Sequence, residues 1–151
     1  MFERLKTFLD ELNLADSSEH PAGAPSLRLA AAVLLVEVMR ATQGISVDER
    51  GAAAPFLAER FKLGDGEIAA LLQQAEREST AAWDYFHFTN PLDEALSQPS
   101  KIALIEAMWQ VAYADRHADP RENTVISKVA DLLHVPHGDY IAAKMRAKPR
   151  D

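Results

Sequence analysis

From Ser26 onward, apolar positions recur at helical spacing, and the β-branched alternation that a strand needs is absent over any useful length. The pattern predicts an all-α protein with helices near 27–42, 47–61, 66–83, 91–97, 100–115, 120–134 and 137–147. Asn90-Pro91 and Asp119-Pro120 each put a capping side chain before a proline suited to the first helical position. Pro55 falls inside 47–61, where it removes one backbone hydrogen bond and is expected to kink the helix. The segments 27–42 and 100–115 are apolar on most sides, which makes them the two central helices. Ahead of them, Phe2, Leu5, Leu9 and Leu12 share one face of an amphipathic helix over 1–12. With Glu3, Asp10 and Glu11 set against Arg4 and Lys6, that helix is expected to dock on the rest of the protein rather than on a membrane surface. Residues 13–26, rich in turn formers, read as a flexible linker, and 27–147 as the compact domain.

Each central segment, together with the turn and helix after it, looks like a copy of one unit. Sliding the chain by 73 residues places Val38-Met39-Arg40-Ala41-Thr42 on Val111-Ala112-Tyr113-Ala114-Asp115, Ser46 on Asp119, and Glu49 on Glu122. With a slip of one residue, Phe61-Lys62-Leu63-Gly64 then matches Leu133-His134-Val135-Pro136. A helix, a turn and a second helix, twice over, predict a bundle of about seven to eight helices with an internal pseudo-two-fold, its two turns near each other.

Composition narrows the partners. A chain of 151 residues with net charge −7 is one domain without the basic face that nucleic acid requires. It has no cysteine, hence no disulfide, thiolate metal site or thiol nucleophile. The longest apolar run, Leu29 to Val36, is far below the roughly 20 residues of a membrane span, and the N-terminus lacks a secretory signal. A cytoplasmic protein is expected.

Candidate chemistry gathers in the second turn, Asp115-Arg116-His117-Ala118-Asp119-Pro120-Arg121-Glu122. Asp119 and Glu122 have the spacing of a capping box, as Ser46 and Glu49 do in the first copy, so capping alone can account for these four. Asp115 differs. It closes a helix, where the macrodipole disfavours a carboxylate, and by the 100° rule it projects from the face of Met108, Val111 and Ala112. Two readings stand: a cation shared by Asp115, Asp119 and Glu122, or an ion pair with Arg116, Arg121 or His117. The donors are hard oxygens of the calcium or magnesium kind, although the spacing is not that of an EF-hand loop.

These phrases together resemble the TerB family of tellurite-resistance-type proteins. The resemblance rests on the doubled helix-turn-helix with acids at the turn, Leu34-Leu35-Val36-Glu37-Val38, Trp109-Gln110-Val111-Ala112-Tyr113-Ala114-Asp115 and Ala130-Asp131-Leu132-Leu133-His134-Val135-Pro136, and it covers roughly 26–147. It implies a compact helical domain linked to tellurite resistance and chemical stress, with acidic residues proposed to bind metal. Similar domains occur attached to J-domain co-chaperones and other stress proteins. The family's acidic turn carries over onto Asp115 and Glu122, with Asp119 between them, and onto Glu49 in the first copy. Thr42 and Ser46 depart from it, which leaves the second turn as the better metal site.

Other candidates have plainer expectations. Glu37 and Glu106 stand in apolar helices and are expected to reach the rim, pairing with Arg40 or Lys101 rather than ligating metal. His134 and His137, with a proline between them, read as surface histidines rather than a zinc pair. Trp83, Tyr85, Phe86 and Phe88 read as core packing at a helix junction, with an exposed docking patch as the alternative. Phosphate loops, nucleophile elbows and His-Glu-x-x-His helices are absent, so no enzyme is expected. The function read from the sequence is a cytosolic stress-response domain that binds a divalent cation at an inter-helix turn and acts on another protein. The alternative is a metal-free interaction module in a stress-response assembly.

Overall fold

The computed structural model describes residues 26–41, 47–79, 84–115 and 119–149, without the side chains of Val47 and Asp115. The expected helix over 1–12 and all of the expected linker but Ser26 lie outside them. Within them run seven α-helices: α1 (Leu27–Arg40), α2 (Val47–Phe61), α3 (Asp65–Ser79), α4 (Tyr85–Ala95), α5 (Gln98–Ala112), α6 (Pro120–Leu132) and α7 (His137–Ala147). A 3-10 turn, Tyr113–Asp115, extends α5, and no strand occurs among the described residues. No described helix is long and apolar enough to cross a membrane.

Burial of α1 and α5 explains the arrangement. Both start at a serine whose hydroxyl accepts from a backbone N–H three residues on, Ser26 from Leu29 (3.2 Å) and Ser97 from Ser100 (3.4 Å). Along α1 the side chains of Leu27 and of Leu29 through Val36 are all buried, so this helix needs neighbours on every side. α5 is similarly enclosed through Leu104, Ile105, Met108, Trp109 and Val111. The two pack on each other, and the remaining helices surround them: α3 lies on α1 and α7 on α5, α6 crosses α1 and α2 crosses α5, and α4 bridges α1 and α6. The predicted pseudo-two-fold is thus present in the packing.

Trp109 fastens α7 to α5. It is fully buried, with its ring stacked on Tyr113 at 6.0 Å, tilted against Tyr140 at 5.4 Å, and covered by the Lys144 ammonium at 5.1 Å from the ring centre. Such aromatic contacts add about 0.5–1.5 kcal/mol each beyond the area they bury.

Several boundaries differ from expectation, and the largest difference has a tertiary cause. The helix expected at 91–97 begins instead at Tyr85, with Asp84 as N-cap accepting from the His87 N–H at 3.1 Å, and Pro91 lies inside it. Phe88, Thr89, Leu92 and, just beyond the helix end, Leu96 form one buried stripe, and that burial holds the helix through a residue that cannot donate. The aromatic cluster is divided by the same geometry: Phe88 is in the core, Tyr85 is half-buried, Phe86 is 56% exposed, and Trp83 lies outside the described residues. α3 is described from Asp65 to Ser79, the last expected positions, 80–83, lying outside the described residues, and α5 tightens into the 3-10 turn after Ala112. Helix α2 runs through Pro55, whose ring is on the exposed side.

Candidate functional site

The start of α6 is built as a reciprocal cap. Pro120 takes the first helical position, Asp119 Oδ1 accepts from the Arg121 N–H at 2.8 Å, and Glu122 Oε1 accepts from the Asp119 N–H at 2.9 Å. The Asp119 carboxylate also holds the Arg121 guanidinium, Nε at 3.1 Å and Nη2 at 3.4 Å, and this raises the Arg121 pKa above its ordinary value. Glu122 is 3% exposed. Its burial beside the first turn of α6 is tolerable because the helix N-terminus carries positive partial charge.

Glu49 stands at the third position of α2, as Glu122 does in α6, and it is also buried, 9% exposed. α2 packs against the 3-10 turn Tyr113–Asp115. The helix that carries the first copy's glutamate therefore meets the turn that carries the second copy's aspartate. Asp115 closes that turn, and Tyr113 enters it with φ −89 and ψ 8, its N–H turned to the Trp109 and Val111 carbonyls. The Asp115 side chain lies outside the described residues, as do Thr42, Ser46, Arg116 and His117. Among the described residues no group of three or more His, Asp or Glu is arranged to hold a metal ion.

Beside the cap, α6 and α7 border an open groove of about 630 Å³ lined by Asn123, Thr124, Ser127, Lys128, Asp131, Leu132 and Tyr140. Burial pushes the Tyr140 hydroxyl pKa up, partly offset by its hydrogen bond with Ser127, and the nearby Asp131 and Tyr113 add to the rise.

Sequence spacing missed a second polar cluster. Asp93 Oδ1 accepts from Lys101 Nζ at 2.7 Å and meets His134 Nδ1 at 3.1 Å, joining α4, α5 and the turn after α6. Gln98 Nε2 donates to the His134 carbonyl at 3.1 Å. The hydrogen bond from Lys101 holds the Asp93 carboxyl below its ordinary value, against the opposing effect of burial, and His134 helps. This changes the expected pairings. Lys101 serves Asp93, Glu106 pairs with Arg146 on α7, and Arg40 donates to the Ser79 hydroxyl at 2.9 Å. Glu37 is half-buried near Tyr85, whose hydroxyl pKa is raised first by burial and then by the Glu37 charge. No local signal announces the cluster, because Asp93 and His134 are 41 positions apart. His134 and His137 are both exposed, the latter against the Tyr140 ring at 5.9 Å.

Compared with known families, residues 28–145 match the model described as tellurite resistance protein TerB. No curated protein and no solved structure matches the chain.

Proposed function

Because the chain belongs to the TerB family of tellurite resistance proteins, we propose that it is a cytosolic, non-enzymatic helical domain of a tellurite or stress response that binds a divalent cation between α5 and α6. The observation supporting this is the pair Glu49 and Glu122, two buried carboxylates at the same position of equivalent helices, with α2 packed on the turn that ends in Asp115. The donor set fits a hard cation, calcium or magnesium, since every member offers carboxylate oxygen. Asp115 and Glu122 hold the ion in this reading, Glu49 approaches from the first unit, and Asp119 joins by releasing Arg121. The cation would supply the positive charge that a carboxylate at a helix C-terminus lacks. It thereby orders the turn, and that order passes through the packed helices to a surface that engages another protein.

A second reading, a metal-free interaction module, is favoured by the cap itself: Asp119 and Glu122 already have hydrogen-bond donors without any ion. Thermal melting of chelator-stripped protein, with and without calcium, magnesium, manganese or zinc, separates the two. Binding to the folded state alone raises the melting temperature by mass action. The metal reading expects such a rise and its loss in Asp115→Asn. No rise with any ion leaves the interaction module, and a rise that survives Asp115→Asn moves the ion elsewhere.

A further inference from the structure

The packing around the two central helices is matched helix for helix, with one exception. α3 on α1 corresponds to α7 on α5, and α6 across α1 corresponds to α2 across α5. α4, the helix ahead of α5, packs on α1 and α6, and its place has no counterpart among the described helices. The asymmetry leaves a trace in burial. Tyr85 at the start of α4 is close enough to Glu37 to feel its charge, which sets α4 along the Glu37 side of α1. On the N-terminal continuation of that side Leu29, Ala30 and Val33 are buried. Their counterparts on α5, Ile102, Ala103 and Glu106, are only half-buried, and Gln110, the counterpart of Glu37, is exposed.

The chain ahead of α1 carries a sequence that matches α4. Setting Leu9-Asp10-Glu11 on Leu92-Asp93-Glu94 puts Phe2, Leu5 and Leu9 on Tyr85, Phe88 and Leu92, the residues by which α4 packs on the core. It also puts Asp10 on Asp93, the acid that Lys101 and His134 hold. In the first unit the counterparts of Lys101 and His134 are Arg28 and Lys62, both basic and both exposed. One acid and two cations thus recur at the places where the second unit has its Asp93 cluster.

We propose that residues 1–12 are the first unit's α4: they dock as a helix along Ile102, Ala103 and Glu106 of α5 and against α2, with Asp10 between Arg28 and Lys62. Residues 13–26 make the connection, and extended chain of that length reaches up to about 46 Å. The segment lies outside residues 28–145 that match the family model, and so adds to the family domain.

The chain has no cysteine, so Glu11→Cys in the full protein takes a single nitroxide spin label. Docking predicts that the label broadens the backbone amide signals of Lys62, Leu63 and Ile102 most strongly. It also predicts that Ile141 and Met145 on the outer side of α7 are spared, and that adding Leu5→Asp and Leu9→Asp abolishes the selectivity. Even, weak broadening along the chain, or a maximum on α7, overturns the proposal. So does broadening that arises only between labelled chains and unlabelled, isotopically enriched ones, since the seat then belongs to a second copy.

Discussion

Lys62 and His134 end equivalent helices in the same left-handed conformation, φ 56 and φ 60, and no other described non-glycine residue has a positive φ. Each is followed by the same reverse bond, Leu63 N–H to the Ala58 carbonyl at 3.3 Å and Val135 N–H to the Ala130 carbonyl at 2.9 Å. These are Schellman caps, which glycine usually occupies because an L side chain there costs about 1–2 kcal/mol. We expect Lys62→Gly to be more stable than Lys62→Ala by about 1 kcal/mol, and His134→Gly to exceed His134→Ala similarly. Both members of each comparison lack the original side chain, so only the backbone term differs. Urea midpoints at unchanged slope read it directly, and an alanine variant equal to its glycine partner would refute the strain.

At the opposite end of α6, Asp119 should act as a cap before it acts as a charge. Its carboxylate accepts from the Arg121 N–H at 2.8 Å, a bond that an asparagine oxygen can also accept. Without divalent ions, Asp119→Ala is expected to cost about 1 kcal/mol and Asp119→Asn only a few tenths. The ion pair with Arg121 adds little, because the guanidinium is largely exposed. If Asp119→Asn proves as costly as Asp119→Ala in chemical denaturation, the charge and not the cap holds this helix start.

What the sequence makes legible here is whatever a single element decides alone. Leu29 to Val36 reads correctly as a central helix, and Asp119-Pro120 as the start of one, because apolar enclosure and capping act within a few residues. Asn90-Pro91 carries the same local signal and misleads. There the stripe of Phe88, Thr89 and Leu92 faces the core, and burial outweighs the lost backbone bond. Phe86 is exposed for the same reason, since it falls on the far side of that stripe. The sequence offers Lys101 as a partner for Glu37 or Glu106, but it serves Asp93 on the preceding helix, and His134 joins that acid from 41 positions away, through packing that no local pattern announces.

Trp109 should be the costliest single truncation in the second unit. Its ring is fully buried and touches Tyr113, Tyr140 and Lys144, so Trp109→Ala removes the contacts of α7 as well as opening a cavity. We expect a loss of about 3–5 kcal/mol. Its indole N–H has no hydrogen-bond partner, so Trp109→Phe discards an unsatisfied donor while keeping part of the ring. That variant should lose less than half as much. Equal losses in thermal melts would show that indole shape, and not ring burial as such, governs the α5–α7 contact.

The Asp93 cluster gives the stability of the domain an acid dependence of known sign. Lys101 lowers the Asp93 carboxyl below its ordinary 3.8, so in acid the unfolded chain takes up this proton before the folded one does. The contribution is therefore complete above about pH 4–5 and is lost as pH falls through the depressed folded value. With the carboxylate partly solvated, it amounts to about 1 kcal/mol or less. Asp93→Asn should remove it, and the stability gap between wild type and variant should narrow from pH 5 towards pH 2. At neutral pH the variant loses more than the pair is worth, because the Lys101 side chain is only 10% exposed and is left without its acid. Adding Lys101→Met to Asp93→Asn should then recover much of the loss in urea denaturation. A double variant no more stable than Asp93→Asn would show that the lysine finds water and that its burial carries no penalty.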